Sequence, residues 1–598
     1  MSGEKRSIVF AFICLLVILA VGLVSCNQAA TQVPSESAVT PTTVQPVAPT
    51  TEAPVTPTTV PPPEKPVVIV IPEDPPSFNA LIEDTGYDTL VMKLVLLGLA
   101  EIDANGNIYP VLAASLPTLE NGDVVQDEEA GTMDVTWRLR QDVVWQDGEP
   151  VTADDVVFTY DAIANPDTGS WMPGMDYIDS VEKIDDYTVI VHYASIYPGY
   201  LLQFGGEQVV VWPEHYCDAS QGFAAWDCAS QPLSDGPYIL EEWQIGDHLS
   251  FTRNPSYFEP GKPAIEQIFV RIVPDETVRK TMLTQGDADV FPWISENVAT
   301  DLIGASNVTV SVTRNSRWVL RLFPNLAARG TVDPEATPHP ILADVRVRQA
   351  IRQAIDVDLI SQQIFYGYGT PVWTEFFRPP YNTCNIPRPV FDPDAAKALL
   401  EQAGWTDTDG DGIRECHGCL NAEEGYKMEM ENITYAEYGD VLLQTQQLIA
   451  EMLHDIGINL RLTVMEGSVL WADSASGGIE QTGNFDIDLY DDGYAGTDPT
   501  DFLYQYYYSA SAEPDMGWNV GRWINSDFDA LLDQSYTLDE SARQDLFCQM
   551  AQMLDQEVPE ILLFTTINAD AFNNRLSGVQ SSMNDLVTWN VADWTLNP

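Results

Sequence analysis

The chain has 598 residues, and its 28 Lys and Arg against 89 Asp and Glu give a formal net charge of −61 at pH 7. So acidic a surface repels the phosphate backbone of nucleic acids and offers no basic patch to anionic lipid, which excludes nucleic-acid binding as a function. Hydrophobic residues make up 45% of the chain, as in ordinary globular proteins.

The first 26 residues have the layout of an export signal. Lys5 and Arg6 precede an apolar run from residue 8 to residue 24, and Ser25 and Cys26 follow. The end of the run resembles the bacterial lipobox, so we expect residues 1–25 to be a signal peptide and Cys26 to become the lipidated N-terminus. An uncleaved membrane anchor is the alternative, because about 17 apolar residues nearly span a bilayer.

Residues 26–66 are predicted to form a tether. From Asn27 to Pro66 there is no aromatic residue, and Pro and Thr dominate. Such a segment buries too little apolar area to offset the entropy of ordering it. Proline favours an extended polyproline II conformation, so the tether would hold the remaining body away from the membrane.

The body from residue 67 onward alternates strand and helix patterns, which predicts a mixed α/β fold. Short β-branched or alternating runs predict strands, and apolar residues at helical spacing predict helices. The predicted strands are 67–71, 458–464 and 485–490, and the predicted helices are 89–99, 345–364, 395–403 and 441–456.

No sequence motif of a known catalytic site was found. The patterns H-E-x-x-H, G-x-S-x-G, G-x-x-x-x-G-K-[ST] and G-x-G-x-x-G are all missing from the sequence. We therefore expect no enzyme activity and no required cofactor. A cell-surface hydrolase that uses a carboxylate pair is the alternative from another functional class.

Several short blocks occur in one order along the body and together resemble a known family. They are 103–106 (DANG), 137–143 (WRLRQDV), 145–156 (WQDGEPVTADDV), 235–238 (DGPY), 253–258 (RNPSYF), 286–290 (GDADV) and 345–351 (VRVRQAI). They are similar to blocks of the extracytoplasmic solute-binding proteins of ABC importers, family 5, the oligopeptide, dipeptide and nickel type. The turn residues in these blocks identify the fold and do not mark a ligand site.

The resemblance implies a two-lobed periplasmic-binding-protein fold of type II, in the large cluster C form with an extra subdomain. Lobe 1 would comprise 67–100, 232–313 and 558–598, with an inserted subdomain at 101–231, and lobe 2 would comprise 314–557. The hinge would consist of two segments that cross between the lobes, at 314–322 and 558–564.

The implied function is a receptor that captures a solute between its lobes and delivers it to the permease and ATPase complex of an ABC importer. The protein would be a monomer, anchored by lipid on the outer face of the cytoplasmic membrane or in the periplasm. A peptide is the first expectation for the solute and an oligosaccharide is the second.

The ligand site is expected at the end of the predicted strand 485–490, because ligands of α/β sheets gather at the carboxyl ends of strands. Counting back from Asp498-Pro499, the aspartate with which peptide-binding members of the family anchor an ammonium falls on Ala495, which makes an amine anchor doubtful. Asp491 or Asp492 could replace it. Aromatic residues would supply the apolar contacts. The candidate ligand residues are Asp491, Asp492, Tyr494, Trp293, Trp318, Trp373 and Trp471.

Six cysteines remain after Cys14 and Cys26, and an even number in an exported protein favours disulfides. Six cysteines allow 15 pairings, and local spacing favours Cys217 with Cys228. The pair Cys416 and Cys419 could instead hold a metal ion.

An acidic loop carries the pattern Asp-x-Asp-x-Asp-Gly at residues 407–412. Oxygens at positions 1, 3 and 5 followed by Gly resemble an EF-hand loop, although position 12 is Gly418 and not Glu. Asp407, Asp409, Asp411 and Glu415 are therefore candidate calcium ligands. An acidic turn without a metal ion is the alternative.

Overall fold

The computed structural model describes residues 65–597, apart from 82–84, 128, 166–173, 207, 219–225, 315, 495 and 583–585. The predicted signal peptide, Cys26 and almost all of the predicted tether lie outside the described residues.

The first lobe is built on a seven-stranded mixed sheet. Its central strand, Val67–Ile71, is entirely buried because its β-branched residues face apolar side chains on both sides of the sheet. It runs parallel to two strands that are distant in sequence. The strand order is Val308–Thr313, Asn568–Asn573, Val290–Phe291, Val67–Ile71, Gln267–Ile272, His248–Arg253 and Tyr238–Gln244.

The second lobe is built on a six-stranded mixed sheet. Its strand Val319–Pro324 is fully buried and pairs antiparallel with a strand on either side. Apolar side chains pack on both faces of this sheet. The strand order is Thr370–Pro371, Ile561–Thr565, Val319–Pro324, Ile487–Asp492, Glu429–Tyr435 and Asn459–Met465.

The chain passes between the two large sheets twice, between Thr313 and Val319 and between Thr565 and Asn568. The strand Ile561–Thr565 pairs with Val319–Pro324 in the second lobe. The second lobe therefore ends after Thr565, and not at residue 557 as the resemblance implies. The reason is that the strand Ile561–Thr565, which was expected in the first lobe, belongs to the sheet of the second lobe. Two adjacent connections of this kind form a hinge.

A subdomain is inserted in the first lobe and shares its apolar core. The long strand Thr132–Arg138 alternates buried and outward-facing residues, as expected for a sheet with one packed face. The strand order of its sheet is Val124–Asp127, Thr132–Arg138, Thr188–Tyr193 and Ile178–Asp185.

Three two-stranded sheets complete the β-structure of the described residues. They are Ala100–Ile102 with Ile108–Pro110, Trp405–Thr406 with Glu415–Cys416, and Leu576–Ser577 with Thr595–Leu596.

The helices surround the sheets, and their bounds differ from the predicted ones in two informative places. The predicted helix 345–364 is two helices, because Ile355 is extended and the Asp356 side chain accepts the Leu359 amide at the start of the second. The predicted helix 89–99 begins at Tyr87 and ends at Val95. The α-helices are Tyr87–Val95, Ala153–Ala164, Glu276–Gln285, Glu296–Leu302, Val345–Ala354, Val357–Gln363, Pro393–Gln402, Asp440–His454, Gly467–Leu470, Thr500–Tyr507, Ser526–Ser535 and Glu540–Glu557.

No helix in the described residues combines the length and the apolarity needed to cross a bilayer.

The six cysteines of the body form three disulfides. Cys217 pairs with Cys228, the pairing that the local spacing favours, and Cys384 pairs with Cys548 across 164 residues. Cys416 pairs with Cys419, so in this structure the two sulfurs bond to each other and not to a metal ion.

Candidate functional site

A cavity of about 650 Å³ lies between the two lobes. The first lobe contributes Tyr87, Trp293 and Glu296, and the second lobe contributes Glu437 and Tyr438. The two crossing segments also line it, through Arg317, Trp318 and Ile567. Because both lobes and both hinge segments form its wall, a hinge movement changes the shape of this cavity directly.

Trp293 is held in one position on the first-lobe wall. Its backbone φ is 50°, a left-handed conformation that costs free energy for a residue with a side chain. Its amide donates to Asp570 Oδ1 at 3.2 Å, and its ring packs edge-to-face on Tyr87 with centroids 5.2 Å apart. The neighbouring Gly86 has a φ of 78°, and a Cβ there would lie 3.4 Å from the Trp293 ring. The site therefore presents a rigid aromatic surface.

The hinge segments bind each other where they line the cavity. The Thr566 amide donates to the Trp318 carbonyl at 2.9 Å, and the Thr565 hydroxyl donates to the Arg314 carbonyl at 2.6 Å. The Arg317 guanidinium lies 4.5 Å from the centre of the Trp318 ring, a cation–π contact. A planar cation and an indole thus face the cavity from the hinge.

Two carboxylates, Glu296 and Glu437, give the described lining a negative balance against Arg317. Burial raises the pKa of the Glu296 carboxyl, and the nearby Glu276 adds to this effect. Burial also raises the pKa of Tyr438, with Asp491 and Glu296 as the next causes. Two carboxylates against one guanidinium favour a ligand that carries a positive group.

The structure brings two of the predicted ligand residues, Trp293 and Trp318, to the cavity wall. Asp491 lies behind the wall, where it accepts hydrogen bonds from the Tyr435 hydroxyl at 3.3 Å and the Thr566 hydroxyl at 3.5 Å. It can influence a ligand through the field it imposes on these groups.

Asp492 and Tyr494 lie away from the described lining of the cavity. The Asp492 carboxylate accepts the Gly493 amide at 2.6 Å, and its carbonyl accepts Arg321 Nη2 at 3.0 Å. Tyr494 is buried in the second-lobe core, with its hydroxyl donating to the Glu375 carbonyl at 3.3 Å. Asp492 and Tyr494 therefore make their contacts within the second lobe.

Trp373 and Trp471 also lie outside the main cavity. Trp373 donates from Nε1 to the Ile386 carbonyl at 2.8 Å and lines a separate groove of about 240 Å³ on the second lobe. Trp471 packs against Tyr435 at 4.8 Å and lines a shallow depression that shares Glu437 with the cavity.

Tyr87, Glu296, Glu437 and Tyr438 line the cavity but were not among the sequence candidates. Glu437 and Tyr438 follow the strand Glu429–Tyr435. Ligands of α/β sheets gather at the carboxyl ends of strands, so a prediction of this strand would have made both residues candidates. Glu296 and Tyr87 lie at helix starts in a chain with 89 acids and 24 tyrosines, and the sequence carries no signal that separates them from surface residues.

A second chamber of about 310 Å³ adjoins the main cavity, and Gln208 lines both. It lies between the inserted subdomain and the second lobe, which are joined by a hydrogen bond from the Tyr197 hydroxyl to Asp501 Oδ2 at 2.6 Å. Arg543 forms an ion pair with Asp498 at 2.7 Å on the second-lobe side. The cleft therefore continues beyond the main cavity.

Residues 107–514 match the family model described as bacterial extracellular solute-binding proteins, family 5, middle. The match covers more than half of the chain, and the chain belongs to this family. It is a substrate-binding receptor of the extracytoplasmic type that serves ABC importers.

Relatives of known name differ in what they bind. The oligopeptide-binding protein AppA of Bacillus subtilis is 24% identical over 542 residues, which cover 88% of this chain and 90% of AppA. The structure of AppA in complex with a nonapeptide has a TM-score of 0.67 at 22% identity, over 89% of this chain and 99% of that one. NikA of Brucella suis, in complex with Fe(III)-EDTA, has a TM-score of 0.74 at 22% identity, over 89% of this chain and all of NikA. These structures establish the two-lobed type II fold.

Proposed function

We propose that this protein is a lipid-anchored receptor that captures a peptide in the cavity between its lobes and delivers it to the permease and ATPase complex of an ABC importer. The observation that carries the proposal is the 650 Å³ cavity built from both lobes and both hinge segments. A volume of roughly 300–1,000 Å³ suits a small ligand that is enclosed on most sides.

The chemistry of the wall supports a peptide. Glu296 and Glu437 suit an ammonium group, and the Arg317 guanidinium suits a carboxylate. Trp293 and Trp318 offer faces for apolar side chains. The second chamber gives room for a ligand longer than the main cavity holds.

An oligosaccharide is the second candidate. Ala495, where peptide-binding members of the family carry an ammonium anchor, lies outside the described residues, and alanine supplies no charge. Indole faces such as those of Trp293 and Trp318 also stack on sugar rings. The two solute classes differ in charge, so substitution of Glu296 and Glu437 distinguishes them.

The site is tested by native mass spectrometry of solute retained from the native host, followed by calorimetric titration of the identified solute. Trp293→Ala with Trp318→Ala should weaken binding at least tenfold. Trp373→Ala is the matched control, because this indole lies on the separate groove. If the double variant binds with wild-type affinity, or if the control loses as much affinity as the double variant, the solute does not bind at Trp293 and Trp318.

The anchor is tested separately. Cys26→Ala should abolish metabolic labelling with a radioactive fatty acid and leave the precursor unprocessed, and Cys14→Ala should change neither. Unchanged labelling of the Cys26 variant refutes the lipobox interpretation without bearing on the cavity.

A further inference from the structure

An acidic loop on the second lobe, distinct from the solute cavity, has the features of a cation site. The loop closes a hairpin in which Trp405–Thr406 pairs antiparallel with Glu415–Cys416. Asp407, Asp409, Asp411 and Glu415 each bring one carboxylate oxygen to this loop, and these four oxygens lie within 4.8 Å of one another. In so acidic a chain, proximity alone does not define a site.

The independent observation is the buried carboxylate of Glu415. Its side chain is only 7% exposed, and Oε2 accepts hydrogen bonds from the amide of Thr408 at 3.0 Å and from its hydroxyl at 3.3 Å. Oε1 is buried and accepts no hydrogen bond from the described residues. A buried carboxylate oxygen left without a hydrogen bond destabilises the fold unless a positive charge compensates it.

Lys427 marks the point that these carboxylates share. Its Nζ lies 3.2 Å from Asp409 Oδ2, contacts Asp411 Oδ2, and is 3.8 Å from Glu415 Oε1, beyond hydrogen-bond reach. A cation is thus already stabilised where Asp409, Asp411 and the buried Oε1 converge. One ammonium balances only one of four negative charges, and the lysine side chain is 37% exposed, so it can turn into solvent.

We propose that this loop binds one Ca²⁺ ion, with Asp407, Asp409, Asp411 and Glu415 as ligands and with Lys427 displaced into solvent. Calcium prefers hard oxygen ligands and tolerates irregular coordination, whereas magnesium demands near-octahedral geometry and holds its water tightly. The spacing Asp-x-Asp-x-Asp-Gly supplies three carboxylates from a short flexible loop, and Glu415 supplies the fourth from the return strand.

The ion would stabilise the second lobe and would not contact the solute. Arg414, next to Glu415, donates from Nη1 to the Trp405 carbonyl at 2.7 Å and from Nε to the Ile456 carbonyl at 2.8 Å. Ile413 and Cys416 are buried in the second-lobe core. Neutralising the loop would therefore raise the melting temperature of the lobe on which the loop is built.

The test is calorimetric titration of the chelator-treated full-length protein with CaCl₂, and in parallel with MgCl₂. We expect saturable calcium binding with a dissociation constant no weaker than about 10⁻³ M, and weaker binding of magnesium. Asp409→Asn should weaken calcium binding at least tenfold. Asp333→Asn is the matched control, because Asp333 is an exposed aspartate that accepts two backbone amides in a turn outside the proposed site.

The variant Lys427→Met distinguishes a metal site from an acidic turn that Lys427 stabilises by its ion pairs with Asp409 and Asp411. In a metal site the ammonium competes with calcium, so its removal should tighten calcium binding several-fold. Absence of calcium binding in the wild type, wild-type affinity in Asp409→Asn, or unchanged or weaker affinity in Lys427→Met would each overturn the proposal. Far-ultraviolet circular dichroism of each variant confirms that it is folded.

Discussion

The hydroxyl of Tyr197, in the inserted subdomain, donates a 2.6 Å hydrogen bond to Asp501 Oδ2, on the first turn of a helix in the second lobe. A second bond of 2.9 Å joins Tyr177 to Tyr536 across the same gap. These bonds join the inserted subdomain to the second lobe through residues outside the two hinge segments. They hold the inserted subdomain against the second lobe on either side of the cleft.

We expect Tyr197→Phe to favour a more open molecule, because it removes the first of these bonds and leaves the Asp501 carboxylate without the hydroxyl donor. Small-angle X-ray scattering of the solute-free protein should show a larger radius of gyration than in the wild type. Tyr160→Phe is a control, since Tyr160 belongs to the subdomain helix Ala153–Ala164. An identical radius of gyration in all three proteins would show that the bond between Tyr197 and Asp501 does not hold the lobes together.

The same carboxyl predicts a pH effect on stability. Burial raises the pKa of Asp501 to about 6, although Tyr197 and Arg543 act in the opposite direction. Between about pH 4 and pH 6 the unfolded chain releases a proton that the folded protein retains, so this group makes the fold less stable as the pH rises through that range. Asp501→Asn keeps an oxygen for Tyr197 and removes the charge. The melting temperature of the variant relative to wild type should therefore be higher at pH 7.5 than at pH 4.5, and a difference independent of pH contradicts the assignment.

Arg321 is predicted to be essential to the second lobe. Its side chain is fully buried and forms ion pairs with Glu375 at 2.7 Å and Glu560 at 3.0 Å. Arg321→Met would leave two buried carboxylates without their cation, which costs about 3–5 kcal/mol. Urea unfolding measures the loss.

The control for this prediction is Arg253→Met, which removes a surface pair with Glu266 in which the two side chains are 42% and 54% exposed. Exposed pairs contribute about 0–1 kcal/mol. Equal losses in the Arg321 and Arg253 variants would show that the buried network does not stabilise the fold as described.

The disulfide Cys384–Cys548 should contribute more to stability than Cys416–Cys419, because it closes 164 residues against 3. In the chain-entropy model the two closures correspond to about 5 and about 2 kcal/mol. Paired Cys→Ser variants, compared by urea unfolding under oxidising conditions, measure the difference. A larger loss for the short closure contradicts the entropic explanation.

A charge prediction bears on the class of solute. For a peptide, Glu296→Gln with Glu437→Gln should weaken binding about 10- to 150-fold, which corresponds to one lost charge-assisted hydrogen bond of about 1.5–3 kcal/mol. Asp154→Asn, in an exposed turn of the subdomain helix, is the control. Unchanged affinity in the double glutamine variant favours an uncharged solute such as an oligosaccharide.

The sequence was informative about the fold because the signals involved are local or shared by a family. The buried strand Val67–Ile71 was predicted with its observed bounds, since a short β-branched run that ends at a proline is typical of a buried strand. The helix predicted at 345–364 was wrong in one respect, because apolar periodicity continues through Ile355 although Asp356 begins a new helix.

The candidate site was harder to predict, because it depends on which residues from distant segments meet. Trp293 and Trp318 line the cavity, yet Tyr494 is buried in the second-lobe core, where it packs against Phe502. Nothing in the local sequence distinguishes an aromatic residue that faces a cleft from one that fills a core. Glu296 was missed because the local sequence does not separate it from the many other acidic residues. It shares a cavity wall with Tyr438 only once the two lobes are folded and joined.

The most direct test of the central claim is a crystal structure of the protein with the solute that it retains from its native host. We predict density for the solute between the two lobes, in contact with Trp293 and Trp318 and with a polar group near Glu296. Density confined to the groove at Trp373, or to any surface outside the cleft between the lobes, would contradict the claim.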